Sequence, residues 1–220
     1  MADEQGRERI GGGKLVYRQR GAHAARARIR RGRHVADVSQ QRHTMPESQA
    51  FQAHAANRFA DWKLVVDGQV RRPLALSLEQ IHRMPARTQI TRHDCVEGWS
   101  AIGKWTGVPL KLILEGAGVS PPTRYIVFHC ADDFDGTPYY GSIDLVDAYH
   151  PQTILAWGMN DNMLPVGHGA PLRLRAERQL GYKQAKFVMR VEAVPSLAGT
   201  GDGKGGYWED SAGYQWYAGI

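Results

Sequence analysis

The chain of 220 residues has two cysteines and 42% hydrophobic residues, enough for a real core in one large or two small domains, and too few thiols for the disulfide framework of a small secreted protein. No run of about 18 apolar residues occurs, so no transmembrane helix is written here. The net charge of +6 sits at one end: residues 1–44 carry 11 Lys and Arg against 4 Asp and Glu and the rest is net −1, so the basicity gives no ground for a nucleic-acid-binding body.

In chain order, residues 1–44 are rich in Arg, Ala and Gly without a sustained apolar period, and are expected to be a basic, disordered or misassigned head. No aromatic residues alternate with the arginines to stack on bases, which disfavours an RNA-binding arm. Arg30 and Arg31 form a twin-arginine pair, but Gly32-Arg33-His34 stands where an apolar stretch should follow, so no export signal is read and localisation stays open. From about residue 60 the pattern changes. Trp62 to Val66 reads as a strand running into an Asp67-Gly68 turn, and Ser77-Leu78-Glu79-Gln80 as a capping box opening a short helix that Pro85 stops. Thr88 to His93 alternates as a strand. Pro109 suits the first position of a helix over LKLILEGAG, ended by Gly116 or Gly118. A strand from Tyr125 ends at Cys130, a short helix covers Asp144 to Tyr149, and Met159 to Asn162 is a turn. Strands follow at Leu172–Ala176 and Lys183–Val194. These elements mix without a βαβ rhythm, which predicts an α+β fold of mixed sheets and short helices.

Both cysteines fall at predicted strand ends beside polar residues, in His93-Asp94-Cys95 and His129-Cys130-Ala131-Asp132. A small thiol filling a core gap is the ordinary reading, and it suits Cys130 about as well as a functional one. Cys95 is different, because Asp94 and Glu97 flank it and Gly98 permits a tight turn that would expose the sulfur. Three active roles remain open for it. A nucleophile is disfavoured by the acidic neighbours, unless His93 turns inward. A zinc site drawn from His93, Cys95, His129 and Cys130 lacks the usual ligand gaps. A single thiolate on a transition metal held mainly by an organic cofactor needs only one residue. The third gains weight from residues 168–188, where Arg173 and Arg175 share one strand face and Gln184 and Lys186 share another, a cationic pair of strands able to hold a phosphate and a polar heterocycle. Exposed strand faces rich in Arg and Lys for edge protection are the plain alternative.

HDCVEGWSAIGKWTGVPL, YIVFHCADD, HPQTILAWGMN, PVGHGAPLRLRAERQLGYKQAKFV, GGYWED and YQWYAGI resemble the sulfite-oxidase-type oxidoreductase molybdopterin-binding domain, the nearer relatives being bacterial catalytic subunits like the protein-methionine-sulfoxide reductases. The likeness covers residues 45–220 and implies the corresponding α+β fold, a molybdenum-molybdopterin cofactor and an enzyme. It implies Cys95 as the molybdenum ligand and catalytic residue, and Cys130, His168, Arg173, Gln184, Ala185 and Lys186 as cofactor contacts, with Cys130 standing where the reductases usually have Thr. It also implies a small-molecule or protein-bound oxide as substrate and a membrane cytochrome as electron donor. Family members are often periplasmic, and no nucleic acid is expected.

Two departures matter. Sulfite-oxidising members follow the ligand Cys with an arginine-containing stretch, whereas Val96-Glu97-Gly98-Trp99 follows here, and a negative Glu97 disfavours an anionic substrate unless it points away. Reduction of a neutral sulfoxide or N-oxide by oxygen-atom transfer fits better, with His93, His129 and Asp132 as pocket candidates by position alone; a sulfite-oxidising enzyme and a non-catalytic binding domain of the same fold are the alternatives. The family's A-N-G-T segment, whose Asn contacts the cofactor, is replaced by Gln41-Arg42-His43-Thr44, which a frame shift of such codons would spell, so residues 1–44 are read as a shifted or misassigned frame. Gly201-Asp202-Gly203-Lys204-Gly205-Gly206 satisfies G-x-G-x-x-G but has too little chain after it for a dinucleotide site; it is expected to be a loop, with Trp208, Tyr214, Trp216 and Tyr217 packing a closing segment onto the body.

Overall fold

The structure, a computed structural model, describes residues 45–220 apart from Asp135. The expectations placed on residues 1–44 lie outside the described residues.

Helix α1 (Gln49–Ala56) starts where the Ser48 hydroxyl accepts from Phe51 N, and Phe51 then packs edge-on against Phe59 and Phe187. Strand β1 (Lys63–Gly68) buries Leu64 and Val66 on one face and turns into β2 (Leu74–Ser77). Both halves of the expected capping box form: Ser77 Oγ accepts from Gln80 N and Gln80 Oε1 from Ser77 N, opening α2 (Leu78–Arg83). A long hairpin follows, β3 (Arg87–Asp94) with β4 (Ser100–Pro109). Helix α3 (Leu110–Ala117) closes on Gly118 in the left-handed conformation, as expected. Pro109 is the residue before that helix rather than its first, because it also finishes β4 against Ile154.

A second hairpin joins β5 (Tyr125–Phe134) and β6 (Thr137–Asp144), and Asp144 then caps α4 (Leu145–Ala148). Strand β5 does not stop at Cys130; it runs on to Phe134 through an irregularity in the pairing between His129 and Asp133. Strand β7 (Ile154–Met159) turns through Asn160 and Asp161, both at positive φ, into the two residues of β8 (Asn162–Met163). Then come a 3₁₀ turn (Val166–His168), a cis Ala170–Pro171 bond, β9 (Arg173–Arg175) and a second 3₁₀ turn (Gly181–Lys183). The last strand, β10 (Val188–Val194), starts five residues later than expected. Lys183 belongs to the 3₁₀ turn and Phe187 has φ 52°, so the stretch from Lys183 to Phe187 is not extended. Helix α5 (Tyr207–Ala212) follows the glycine-rich segment, a loop whose Asp202 and Lys204 amides donate to Asp210.

Two five-stranded sheets result. One has the order β2-β1-β10-β5-β6 and is antiparallel except for β1 with β10; the other has β3-β4-β7 and then β8 and β9, both paired with β7. This is the expected α+β architecture. The closing segment packs as expected through Trp216, which donates to Ser142 Oγ and sits edge-on to Tyr125, whereas Tyr217 remains 48% exposed. Among the described residues no helix is long and apolar enough to cross a membrane.

Candidate functional site

On β3 the side chains of Gln89 and His93 face the interior with half-buried Thr91 between them, and Cys95 follows on the same alternation as the chain turns into β4. The turn closes through Cys95 N to Trp99 O at 2.9 Å and Gly98 N to Cys95 O at 3.0 Å. It does not expose the sulfur: Cys95 is 5% exposed. The Glu97 amide donates to Cys95 Sγ at 3.2 Å. Glu97 does not point away. Its carboxylate accepts from Trp99 Nε1 at 3.2 Å and lies 3.9 Å from Cys95 Sγ, within reach of an S–H donor.

Arg173 and Arg175 share one face of β9, but that face is interior, which removes the edge-protection reading. Both guanidinium groups lie over the Trp105 ring of β4, at 4.9 and 4.5 Å from its centroid. Arg175 is fully buried and reaches across β4 to β3. It pairs with Glu177 through Nε and Nη2, at 3.0 and 2.8 Å, donates Nη1 to His93 Nδ1 at 2.8 Å, and brings Nη2 within 3.4 Å of Thr91 Oγ1. Gln89 Nε2 donates to the same Glu177 carboxylate at 3.0 Å. Burial pulls the Arg175 pKa down from its ordinary value, and the Glu177 carboxylate pulls it back. On its other side the His93 ring meets Gly181, where an added Cβ would lie 2.6 Å from Nε2.

A second cationic group surrounds the turn at Val166–Gly169. Arg173 Nη1 donates to His168 O at 3.0 Å and Lys186 Nζ to Gly167 O at 2.8 Å. Gly169, at φ 109°, lets the turn approach both: a Cβ there would lie 3.0 Å from Lys186 Cβ and 3.2 Å from Arg173 Cβ. Gln184 and Lys186 are not on a strand, yet both are buried, and Ala185 O accepts from Leu174 N at 2.8 Å, which fixes this segment against β9. Cys130 stands opposite Val188, with Ala131 N donating to Phe187 O, so it too borders the segment. The Gln184 amide donates to Gln179 O at 3.1 Å, while its buried Oε1 has no hydrogen-bond partner among the described residues. Buried cations, a buried spare acceptor and a close glycine turn make a donor and acceptor set that fits a phosphate-bearing polar heterocycle.

The other candidates separate. His129 is half-buried and hydrogen-bonds Glu192 and Arg190, in a group that also ties Arg190 to Asp67. Asp132 is buried further along β5. Neither cysteine is in a disulfide, and among the described residues no three His, Cys, Asp or Glu gather as a metal cluster, against the zinc alternative. Sequence reasoning missed Trp105, Glu177 and the buried ion pair of Lys183 with Glu209. Arg175 and Glu177 two residues apart is the one signal that was available. An open cavity of about 390 Å³ adjoins the Cys95 turn, lined by Val96, Leu180, Tyr182, Tyr214 and Tyr217 among others.

A family profile described as oxidoreductase molybdopterin binding domain matches residues 51–198. A protein of Azospira oryzae, provisionally named protein-methionine-sulfoxide reductase subunit YedZ1, is 43% identical over 73% of this chain and 56% of its own length. The catalytic subunit MsrP of protein-methionine-sulfoxide reductase from Campylobacter jejuni is 31% identical over 60% of this chain and 48% of its own, so the chain spans about half the length of the curated relatives it matches. The sulfane dehydrogenase SoxCD of Paracoccus pantotrophus superposes with a TM-score of 0.57 at 24% identity, over 62% of this chain and 39% of the other, a likeness of fold.

Proposed function

Because this chain belongs to the oxidoreductase molybdopterin-binding domain family, we propose that it carries the molybdenum cofactor of an oxygen-atom-transferring reductase, with Cys95 as the metal thiolate and a sulfoxide or N-oxide as substrate. The observation that carries the reading is the contiguity of the two groups described above. The buried Cys95 thiol, with the Glu97 amide on its sulfur, connects through His93, Arg175 and Trp105 to Arg173 and the Gly167–His168 turn. In this reading Arg173 and Lys186 hold the cofactor's phosphate, Gln184 offers its free amide oxygen to a ring N–H, His168 and Ala185 bound the pocket, and Cys130 gives a small polar contact. Molybdenum, when bound, supplies two-electron oxygen transfer: sulfoxide, two electrons and two protons become sulfide and water.

The chain's own residues decide what enters. Glu97 places negative charge beside the sulfur and repels an anion such as sulfite, while a neutral oxide meets no such repulsion. The reductase names of the relatives support the same direction. The electrons come from an external donor, for which a membrane cytochrome is the class implied.

The test uses the full chain purified from a host that makes molybdopterin, assayed for molybdenum and for reduction of a methionine-sulfoxide peptide and an N-oxide with a reduced dye. We expect about one molybdenum per chain and activity that Cys95→Ser abolishes while the fold persists, since a hard hydroxyl replaces a soft thiolate. Metal-free protein would favour a binding domain, and sulfite oxidation would reverse the assigned direction.

A further inference from the structure

Arg175 reaches no part of the turn at Gly167–His168, yet it is fully buried and spends its guanidinium on β3. A guanidinium has donors only, so the 2.8 Å contact between Arg175 Nη1 and His93 Nδ1 requires Nδ1 to accept. The other ring nitrogen, Nε2, faces Gly181, so the ring is held between Arg175 and that glycine. Arg175 cannot rotate away, because Glu177 clamps its other edge in two places and Gln89 holds Glu177 from β3 itself. The result is a strut from β9 to the end of β3, braced by the Trp105 face, that ends two residues before Cys95. The His93 ring also rests against Trp99, at 5.7 Å between centroids, and Trp99 O receives the Cys95 amide while Trp99 Nε1 holds Glu97. Both sides of the Cys95 turn thus meet at His93.

We propose that Arg175 and His93 are positioning residues for Cys95: the strut fixes the orientation of the His93 ring, and His93 fixes the direction of the Cys95 sulfur. The inference rests on Cys95 being the molybdenum ligand. It explains why a strand of three residues carries two arginines with different tasks, Arg173 toward the Gly167–His168 turn and Arg175 toward the ligand turn.

The strut predicts which replacements of His93 succeed. Gln places an amide oxygen near the position of Nδ1 for Arg175 and an amide N–H outward, whereas Leu fills the space and offers neither. His93→Leu is expected to keep molybdenum and fold but to alter the Mo(V) electron paramagnetic resonance signal and lower kcat about 10- to 100-fold, the size usual for loss of an outer partner of a metal ligand, with KM little changed. His93→Gln is expected to recover most of the wild-type signal. Arg175→Met should reproduce the altered signal where it folds, and the His93 pair decides the matter where it does not. An unaltered signal in His93→Leu, or equal damage from Leu and Gln, overturns the positioning role. Cys95→Ser serves as the control: an unchanged signal there sinks the ligand assignment itself, while a changed signal there beside an unchanged one in His93→Leu sinks the strut alone.

Discussion

The buried cations of residues 173–186 fall into two kinds of company. Arg175 and Lys183 each meet a buried carboxylate, Glu177 and Glu209 respectively, while Arg173 and Lys186 each grip a main-chain oxygen of one turn, His168 O and Gly167 O. A carboxylate cancels a charge and holds it; a carbonyl orients the charged group against its own stretch of chain. The first kind builds the scaffold, and the second lies at the turn where the proposed function puts the cofactor's phosphate. The sequence shows five cations within these 14 residues, the half-buried Arg178 among them, and only the spacing of Arg175 and Glu177 hints at this division.

The largest effect should come from breaking a scaffold pair. Lys183→Met leaves Glu209 buried without its counter-charge and is expected to destabilise the chain by about 3–5 kcal/mol in denaturant melts. Adding Glu209→Leu should return much of that loss, because two apolar groups leave nothing unpaired. A single variant as stable as the parent would show that the pair contributes nothing to the scaffold.

Removing the other kind should read out on the ligand instead. Arg173→Ala and Lys186→Ala are each expected to weaken cofactor retention by about 1.5–3 kcal/mol, the worth of a charge-assisted hydrogen bond, and to leave the domain folded. Molybdenum content after gel filtration measures it, and full content in both variants would place these cations with the scaffold.

The smallest and most specific effect concerns Glu209 itself. Burial, and then the Glu209 charge, push the Tyr182 hydroxyl up to about 12. Since the folded value lies above the ordinary one near 10, the stability it carries is intact below about pH 10 and is lost as pH rises toward 12. Tyr182→Phe should flatten the fall in stability across that window, at the cost of the 2.6 Å hydrogen bond to Gln215 O. An identical pH slope in both proteins would mean that another group titrates there.

Local chemistry was legible where it acts locally. The Ser77 capping box, the Gly118 helix end and the Asn160-Asp161 turn are each fixed by residues within a few positions. Strands β4 and β7 were not read, since β4 interleaves Gly103, Lys104 and Gly107 with its apolar residues and gains its register only from neighbours on both sides. The segment Lys183 to Phe187 alternates as a strand would. What turns it instead is tertiary: Lys183 must reach Glu209, and Phe187 must reach Phe51. The family likeness picked out Cys95, Arg173, Gln184 and Lys186, because all four lie within its motifs. It was silent on the Arg175 strut, whose partners come from three separate stretches.

The parallel pairing of β1 with β10 has a consequence in time. Val65 to Gly68 find their neighbours in Arg190 to Ala193, so the first strand of the domain waits for the last, and the segment holding Gln184 and Lys186 is seated by β10 as it docks. Contacts so distant along the chain form late and slowly. On a ribosome emitting residues in order, the turn at Cys95 emerges long before the segment of Gln184 and Lys186. Under the proposed function, loading of the cofactor therefore follows the docking of β10.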